Sequence, residues 1–216
     1  MSVRTPWGTA QHFERYAQGV IFYSTASHGG LHLDEKKLAE MPAALRAIKP
    51  YAGEGWYEED EDWTIVALAF PELFTDWDVH CAVRTAYARW RGKERFPEAI
   101  QWLQSDAQGA ELHARVVAWR RSNGQLFEMG SAGTCGKGWT VRATRIDRSE
   151  RIVIDFPEAP ARDAAGNWQG YYALASPFEE ARVAQLGGRI VEREPLDTTI
   201  SVAEKPLSTV ATKEGA

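Results

Sequence analysis

The sequence has few cysteines and no long apolar run. Its two cysteines, Cys81 and Cys135, lie in segments of different character without CxxC spacing, so neither a disulfide framework nor a zinc ribbon is predicted. It contains no stretch of about eighteen apolar residues, and the opening MSVRTPWG lacks the basic and apolar layout of a signal peptide. We therefore expect a globular cytoplasmic protein that does not bind a membrane.

Lysine and arginine are absent between Pro50 and Val83, a range that contains nine carboxylates. This asymmetry fits either an acidic face for a basic partner or acidic helix starts beside a basic helical surface. With a net charge of −5 and a pI near 5.6, the chain lacks the basic excess of nucleic-acid binders, and its charge is too dilute to imitate a DNA duplex. Nucleic acid is therefore not an expected partner.

Hydrophobic residues make up 44% of the chain, which is enough for a substantial core. A capping box at Thr75 and a first-turn proline at Pro97 predict two amphipathic helices that pack as a pair. Alternating apolar residues from Trp139 to Phe156 predict a β-hairpin. The expected class is α+β, a helical pair packed with a small, mainly antiparallel sheet. The predicted organisation is a domain over 1–122, a β-rich extension over 123–194, alternatively part of the same fold, and a mobile tail over 195–216.

Several shorter elements are also indicated by local patterns. Apolar residues at helical spacing predict a short helix over Thr9–Ala17, followed by a buried strand over Val20–Tyr23. Asp34 is placed to cap a helix, and a helix beginning near Trp63 should end at Pro71.

The segment GSAGTCGKG, residues 130–138, contains a Gly-Lys pair. Ser131 and Gly138 stand where a phosphate-binding P-loop needs Gly and Ser or Thr, and a strand is expected where its helix should begin. A flexible loop before the hairpin is the prediction here, with a reactive Cys135 as the alternative.

Polar and small residues fill the connection Ser24–Gly30, STASHGG. His28 in this loop is a candidate general base or metal ligand, and His32 with a carboxylate of the GWYEED segment would complete a two-histidine set for zinc or iron. The two glycines argue against the helix that would place both imidazoles on one face, so no metal or cofactor is predicted. If the protein is an enzyme, its catalytic candidates are His28, Ser27 and Glu59.

Two non-catalytic interpretations of the same loop remain. In one, its hydroxyls satisfy the backbone of a tight connection in which Gly29 or Gly30 adopts positive φ. In the other, the loop borders a binding groove with rigid aromatic walls, because aromatic residues beside convergent polar groups are typical of recognition sites. The predicted binding residues are Trp7, Thr25, Ser27, His28, Trp56, Tyr57, Glu58, Glu59 and Asp60.

The motifs TPWG, STASHGG and GWYEED, together with RTAYARW further along the chain, resemble an uncharacterised domain of unknown function found in bacterial plasmid and phage proteins. The resemblance covers about residues 5–102. It implies a mobile genetic element, a bacterial host cytoplasm and an accessory role, and it supplies no known activity.

Three functional hypotheses follow. The protein is an accessory factor that binds a host macromolecule, expected to be a protein complex, with inhibition of a host defence system as one form of that role. Alternatively, it is an enzyme of unknown reaction with a polar site built from the STASHGG and GWYEED loops, or a small-ligand sensor or structural module. No feature of the sequence indicates an oligomeric state.

Overall fold

The computed structural model describes residues 3–135, 138–157, 174 and 176–196. The protein has an α+β fold of helices and antiparallel sheets, which confirms the predicted class. The chain forms two compact units, Met1–Val117 and Ala118–Ala216. Most of the Pro-, Ala- and Gly-rich segment over residues 157–176 and most of the predicted tail lie outside the described residues, while Pro195, assigned to that tail, belongs to a strand.

The first unit combines a four-stranded antiparallel sheet with helices. Its strand order is β3-β4-β5-β6, and two small hairpins, β1-β2 and β7-β8, lie outside this sheet. The strands are β1 Arg4–Thr5, β2 Gly8–Thr9, β3 His12–Ala17, β4 Val20–Ser24, β5 Gly29–Leu33, β6 Trp56–Glu58, β7 Arg89–Trp90 and β8 Lys93–Glu94. The helices are α1 Glu35–Glu40, α2 Ala43–Arg46, α3 Trp63–Ala69, α4 Asp76–Ala86, α5 Pro97–Ser105 and α6 Ala107–Ser122.

The prediction of a helix over Thr9–Ala17 is wrong. Residues 12–17 form strand β3, which pairs with β4 through a tight turn where Gly19 has φ +80°. This conformation is open to glycine and closes the hairpin between Ala17 and Val20. Pairing with β4 therefore overrides the helical spacing of the apolar residues in this segment.

The helical predictions are largely confirmed. Asp34 accepts a hydrogen bond from the Lys37 backbone N–H at 2.8 Å and caps α1. Thr75 and Asp78 form the expected capping box at the start of α4, and α4 contacts α5. The segment read as one helix from Pro97 is divided at Asp106, because the Asp106 carboxylate accepts the backbone N–H groups of Gln108 and Gly109 and so begins α6.

These helices and one face of the sheet enclose the core of the first unit. Val66 on α3, Val83 on α4 and Leu103 on α5 are at most 5% exposed, so the apolar stripes of the helical pair are core. The sheet contributes Val20, Leu31, Leu33 and Tyr57 to the same cluster.

The second unit contains a four-stranded antiparallel sheet in the order β12-β11-β10-β9. Its strands are β9 Phe127–Cys135, β10 Gly138–Arg145, β11 Glu150–Phe156 and β12 Arg189–Pro195, with α7 at Glu180–Gln185. Trp139 pairs with Phe156, as expected for the predicted hairpin. The predicted loop over residues 130–138 is wrong for residues 130–135, which belong to β9, where residues 131–135 pair with β10. A separate core forms around Phe127, Val141, Ile152 and Ile154.

Candidate functional site

The sheet of the first unit has two chemically different faces. Alternation along β4, β5 and β6 sends one set of side chains into the core and the other set to the opposite face. On the opposite face, neighbouring rings form a continuous cluster, which we call the aromatic face. It consists of Trp7, Phe13, Tyr23, His32 and Trp56.

Trp56 is the centre of the aromatic face. Its ring centroid lies 4.3 Å from that of His32, 5.8 Å from Tyr23 and 5.9 Å from Trp7, with the Trp7 contact edge to face. Phe13 extends the cluster to β3, 6.5 Å from Tyr23, and is 70% exposed. Such ring geometries are favourable beyond simple area burial. The cluster is therefore an ordered surface with an exposed apolar end.

The β1-β2 hairpin places Trp7 across the sheet. Thr5 is buried, donates its hydroxyl to the Gly8 carbonyl at 2.9 Å and accepts the Trp7 backbone N–H at 3.2 Å. Gly8 has φ +126°, a conformation that side chains rarely allow. The TPWG motif thus builds a tight turn that directs Trp7 onto Gly30.

Gly29 and Gly30 do not have positive φ, so that prediction is wrong. Both residues lie in β5, where side-chain contacts require their lack of a Cβ. A Cβ on Gly30 would stand 2.5 Å from the Tyr57 carbonyl oxygen and 2.9 Å from Cζ3 of Trp7. A Cβ on Gly29 would stand 2.5 Å from a carboxylate oxygen of Glu59. The two glycines therefore allow Trp7 to approach β5 closely from one face and Glu59 from the other.

The turn before β5 is organised by Thr25. Its hydroxyl donates to the His28 carbonyl at 2.9 Å and accepts the backbone N–H groups of His28 and Ser27 at 3.2 and 3.4 Å. Thr25 is thus a structural residue of the turn, consistent with the role expected for its hydroxyls. The Ser27 and His28 side chains are exposed, and within the described residues no hydrogen bond joins them into a nucleophile and base pair.

His28 meets two carboxylates of the GWYEED segment. One ligand atom each from His28, Glu58 and Asp60 lies within 4.8 Å of the others, and we call this group the His-carboxylate cluster. His32, the second imidazole considered for a metal set, instead packs against Trp56. The STASHGG and GWYEED segments therefore converge as predicted. They bring together one histidine and two carboxylates rather than the two histidines and one carboxylate that were considered for a metal site.

The local environment shifts the pKa of two side chains at this site, Glu58 and His32. Burial raises the pKa of Glu58, an effect that the nearby Asp60 carboxylate increases and the backbone N–H groups of Asp60 and Glu61 oppose. Burial lowers the pKa of His32, with Asp34 acting in the opposite direction. The lowered pKa favours the uncharged form of the His32 ring within the aromatic face.

The remaining predicted site residues lie elsewhere. Tyr57 is 2% exposed in the core, where its hydroxyl contacts Met41 Sδ and burial raises its pKa to about 12. Glu59 is exposed but lies against Gly29, on the opposite side of β5 from Trp7. Phe13 and Tyr23 belong to the site but are not among the predicted site residues, and the alternation of β4 was the signal for Tyr23.

Two surface pockets lie away from these loops. One, of about 410 Å³, is bordered by α2 and α5, including Ala44 and Trp102. The other, of about 280 Å³, lies along residues 177–185 in the second unit. Neither pocket is lined by the aromatic face or the His-carboxylate cluster.

Comparison with known proteins gives one assignment. No helix among the described residues has the length and apolar character needed to cross a membrane. No match was found among curated proteins or among solved structures. A family model for a domain of unknown function, DUF7007, matches residues 1–123, which include the aromatic face and the His-carboxylate cluster. The chain therefore belongs to the DUF7007 family.

Proposed function

We propose that this protein acts by binding a macromolecular partner, a protein complex of the host, through the aromatic face. The observation that carries this proposal is the ordered ring cluster around Trp56 with Phe13 exposed at its end. Rigid aromatic side chains supply large contact area at low entropic cost and are enriched at binding hot spots.

Charge beside the aromatic face indicates the chemistry of the partner. Glu58 is partly buried at the end of β6, and Asp60, which follows it closely in the chain, is exposed. Carboxylates beside an apolar patch favour a partner surface with basic residues beside an apolar anchor, and they increase the association rate at low salt. The same acidity disfavours nucleic acid as the partner.

The motif resemblance supports the biological setting of this proposal. TPWG, STASHGG and GWYEED resemble a domain of plasmid and phage proteins, and they build the surface that we assign to binding. The protein would then be an accessory factor of a mobile genetic element in the bacterial cytoplasm, and inhibition of a host defence system is the form of this role that we propose.

The test uses two exposed aromatic residues. Phe13→Ser removes the exposed ring of the aromatic face, and Tyr51→Ser removes a ring that is 88% exposed outside it. Partners are captured from a host lysate with the wild type, identified, purified and titrated against both variants. We expect Phe13→Ser to weaken binding at least about tenfold, equal to about 1.4 kcal/mol, and Tyr51→Ser to leave it unchanged. Equal affinity of the wild type and Phe13→Ser would refute this assignment.

A further inference from the structure

The His-carboxylate cluster brings together three side chains that can bind a metal ion, and partner binding does not require this arrangement. We propose that His28, Glu58 and Asp60 form a binding site for a divalent transition-metal ion, for which Zn²⁺ is the best fit. This inference is independent of the proposed partner, since it concerns the isolated protein.

The spacing of the three side chains suits a single ion. Their ligand atoms lie within 4.8 Å of one another. Tetrahedral ligands bound to one Zn²⁺ at about 2.0–2.2 Å lie about 3.4 Å apart, so the cluster must contract by up to about 1.4 Å. His28 and Asp60 are exposed, and rotation of their side chains can supply this contraction without moving the backbone.

The backbone that carries the ligands is already fixed. Gly30 pairs with Glu58 between β5 and β6, and the Glu59 N–H donates to the Gly29 carbonyl at 3.2 Å. The Thr25 hydroxyl fixes the His28 backbone through hydrogen bonds with its carbonyl and its N–H. The Glu61 N–H donates to Glu58 Oε2 at 3.1 Å and orients that carboxylate. Supporting hydrogen bonds of this kind hold metal ligands in position and reduce the entropic cost of binding.

Charge at the cluster favours a cation. Within the described part of the chain, neither Glu58 nor Asp60 forms an ion pair with a lysine or arginine, whereas the neighbouring Glu61 pairs with Arg95. Glu58 and Asp60 bring carboxylate oxygens within 4.8 Å of each other, and two negative charges at this distance repel. A divalent ion would relieve this repulsion.

The donor set selects the class of ion. One imidazole nitrogen with two carboxylate oxygens suits borderline ions such as Zn²⁺ better than Ca²⁺ or Mg²⁺, which prefer oxygen ligands alone. Three protein ligands at an exposed site leave a coordination position for water or for a donor atom of a bound molecule.

Zn²⁺ affinity is measured on the full chain by competition with a chromophoric chelator. The ligand variants are His28→Ala and Asp60→Asn. The matched controls are His12→Ala and Glu59→Gln, which remove an exposed imidazole and an exposed carboxylate outside the cluster. We expect each ligand variant to bind Zn²⁺ at least about tenfold more weakly and both controls to bind like the wild type. Circular dichroism confirms that the variants are folded.

A second measurement uses thermal unfolding. Because an ion that binds the folded state raises its apparent stability, Zn²⁺ should raise the unfolding midpoint of the wild type and of both controls, and this shift should shrink in His28→Ala and Asp60→Asn. The proposal is overturned if the wild type does not bind Zn²⁺, or if the ligand variants and the controls bind it equally. Neither outcome affects the aromatic-face proposal, whose test uses Phe13 and needs no metal.

Discussion

Replacing Gly30 with alanine tests whether the TPWG turn and the central sheet are packed as described. The new Cβ would stand 2.5 Å from the Tyr57 carbonyl oxygen, a backbone atom held by the pairing of β5 with β6. It would also lie 2.9 Å from Cζ3 of Trp7. Real Cβ atoms do not approach other atoms this closely, so the strand pair must separate slightly and Trp7 must move.

The magnitude follows from two opposing effects. Overpacking in a closely packed region costs typically about 1–3 kcal/mol. Gly→Ala at a position with ordinary φ returns about 0.4–1 kcal/mol by restricting the unfolded chain. We therefore expect Gly30→Ala to reduce the free energy of unfolding by about 1–2 kcal/mol. Adding Trp7→Ala should relieve the contact with the ring but not the contact with the Tyr57 carbonyl, so the two substitutions should be non-additive.

The assay is urea unfolding followed by circular dichroism, with the four proteins of the Gly30 and Trp7 double-mutant cycle. Gly133→Ala is the control, since a Cβ there meets nothing within 4 Å. It should be neutral or slightly stabilising. If Gly30→Ala is as stable as the wild type, or if the effects of Gly30→Ala and Trp7→Ala simply add, then Trp7 does not press on Gly30 and our account of this glycine is wrong.

Three further predictions concern stability. Leu103→Ala should destabilise the protein by about 2–4 kcal/mol in urea unfolding, because Leu103 is fully buried in the core, and a loss below about 0.5 kcal/mol would place α5 outside it. Thr75→Ala should cost about 1 kcal/mol by removing the capping box of α4, and Thr75→Ser, which keeps the hydroxyl that accepts the Asp78 N–H and donates to the Asp78 carboxylate, should restore most of it. The pKa of His32 is lowered in the folded protein, so His32 becomes protonated at a higher pH in the unfolded chain than in the folded protein. The free energy of unfolding should therefore fall as pH decreases through about 6.5 toward the folded-state pKa. His32→Gln should reduce that loss between pH 7.5 and 5.5, and an unchanged pH profile would contradict the assignment.

Features with local signals were predictable from the sequence. Thr75 and Pro97 mark helix starts through chemistry contained within one turn, and the structure has helices at both places. The alternation from Trp139 to Phe156 likewise identifies a hairpin without knowledge of its neighbours. Strand β3 had no comparable signal, because five of its six residues are exposed and its register is set by β4.

The candidate site was predictable only in part. Convergence of the STASHGG and GWYEED loops was anticipated, but which residues meet depends on the pairing of Gly30 with Glu58. Tyr57 was expected beside Trp56, but successive residues of a strand point to opposite faces, so Tyr57 enters the core. Phe13 joins the site only because β3 is a strand. These contacts are non-local and could not be derived from motif spacing.

The contact between Trp7 and Gly30 links two motifs that are distant in the sequence. A family member with a side chain at the position of Gly30 would need a smaller residue at the position of Trp7, because both cannot occupy the same space. Substitutions at the two positions should therefore be correlated among DUF7007 sequences. A change in one motif is limited by the residue present in the other. Members in which Gly30 is replaced should therefore be found among those that have also lost the tryptophan of TPWG, whereas loss of the tryptophan alone leaves Gly30 still required by the Tyr57 carbonyl.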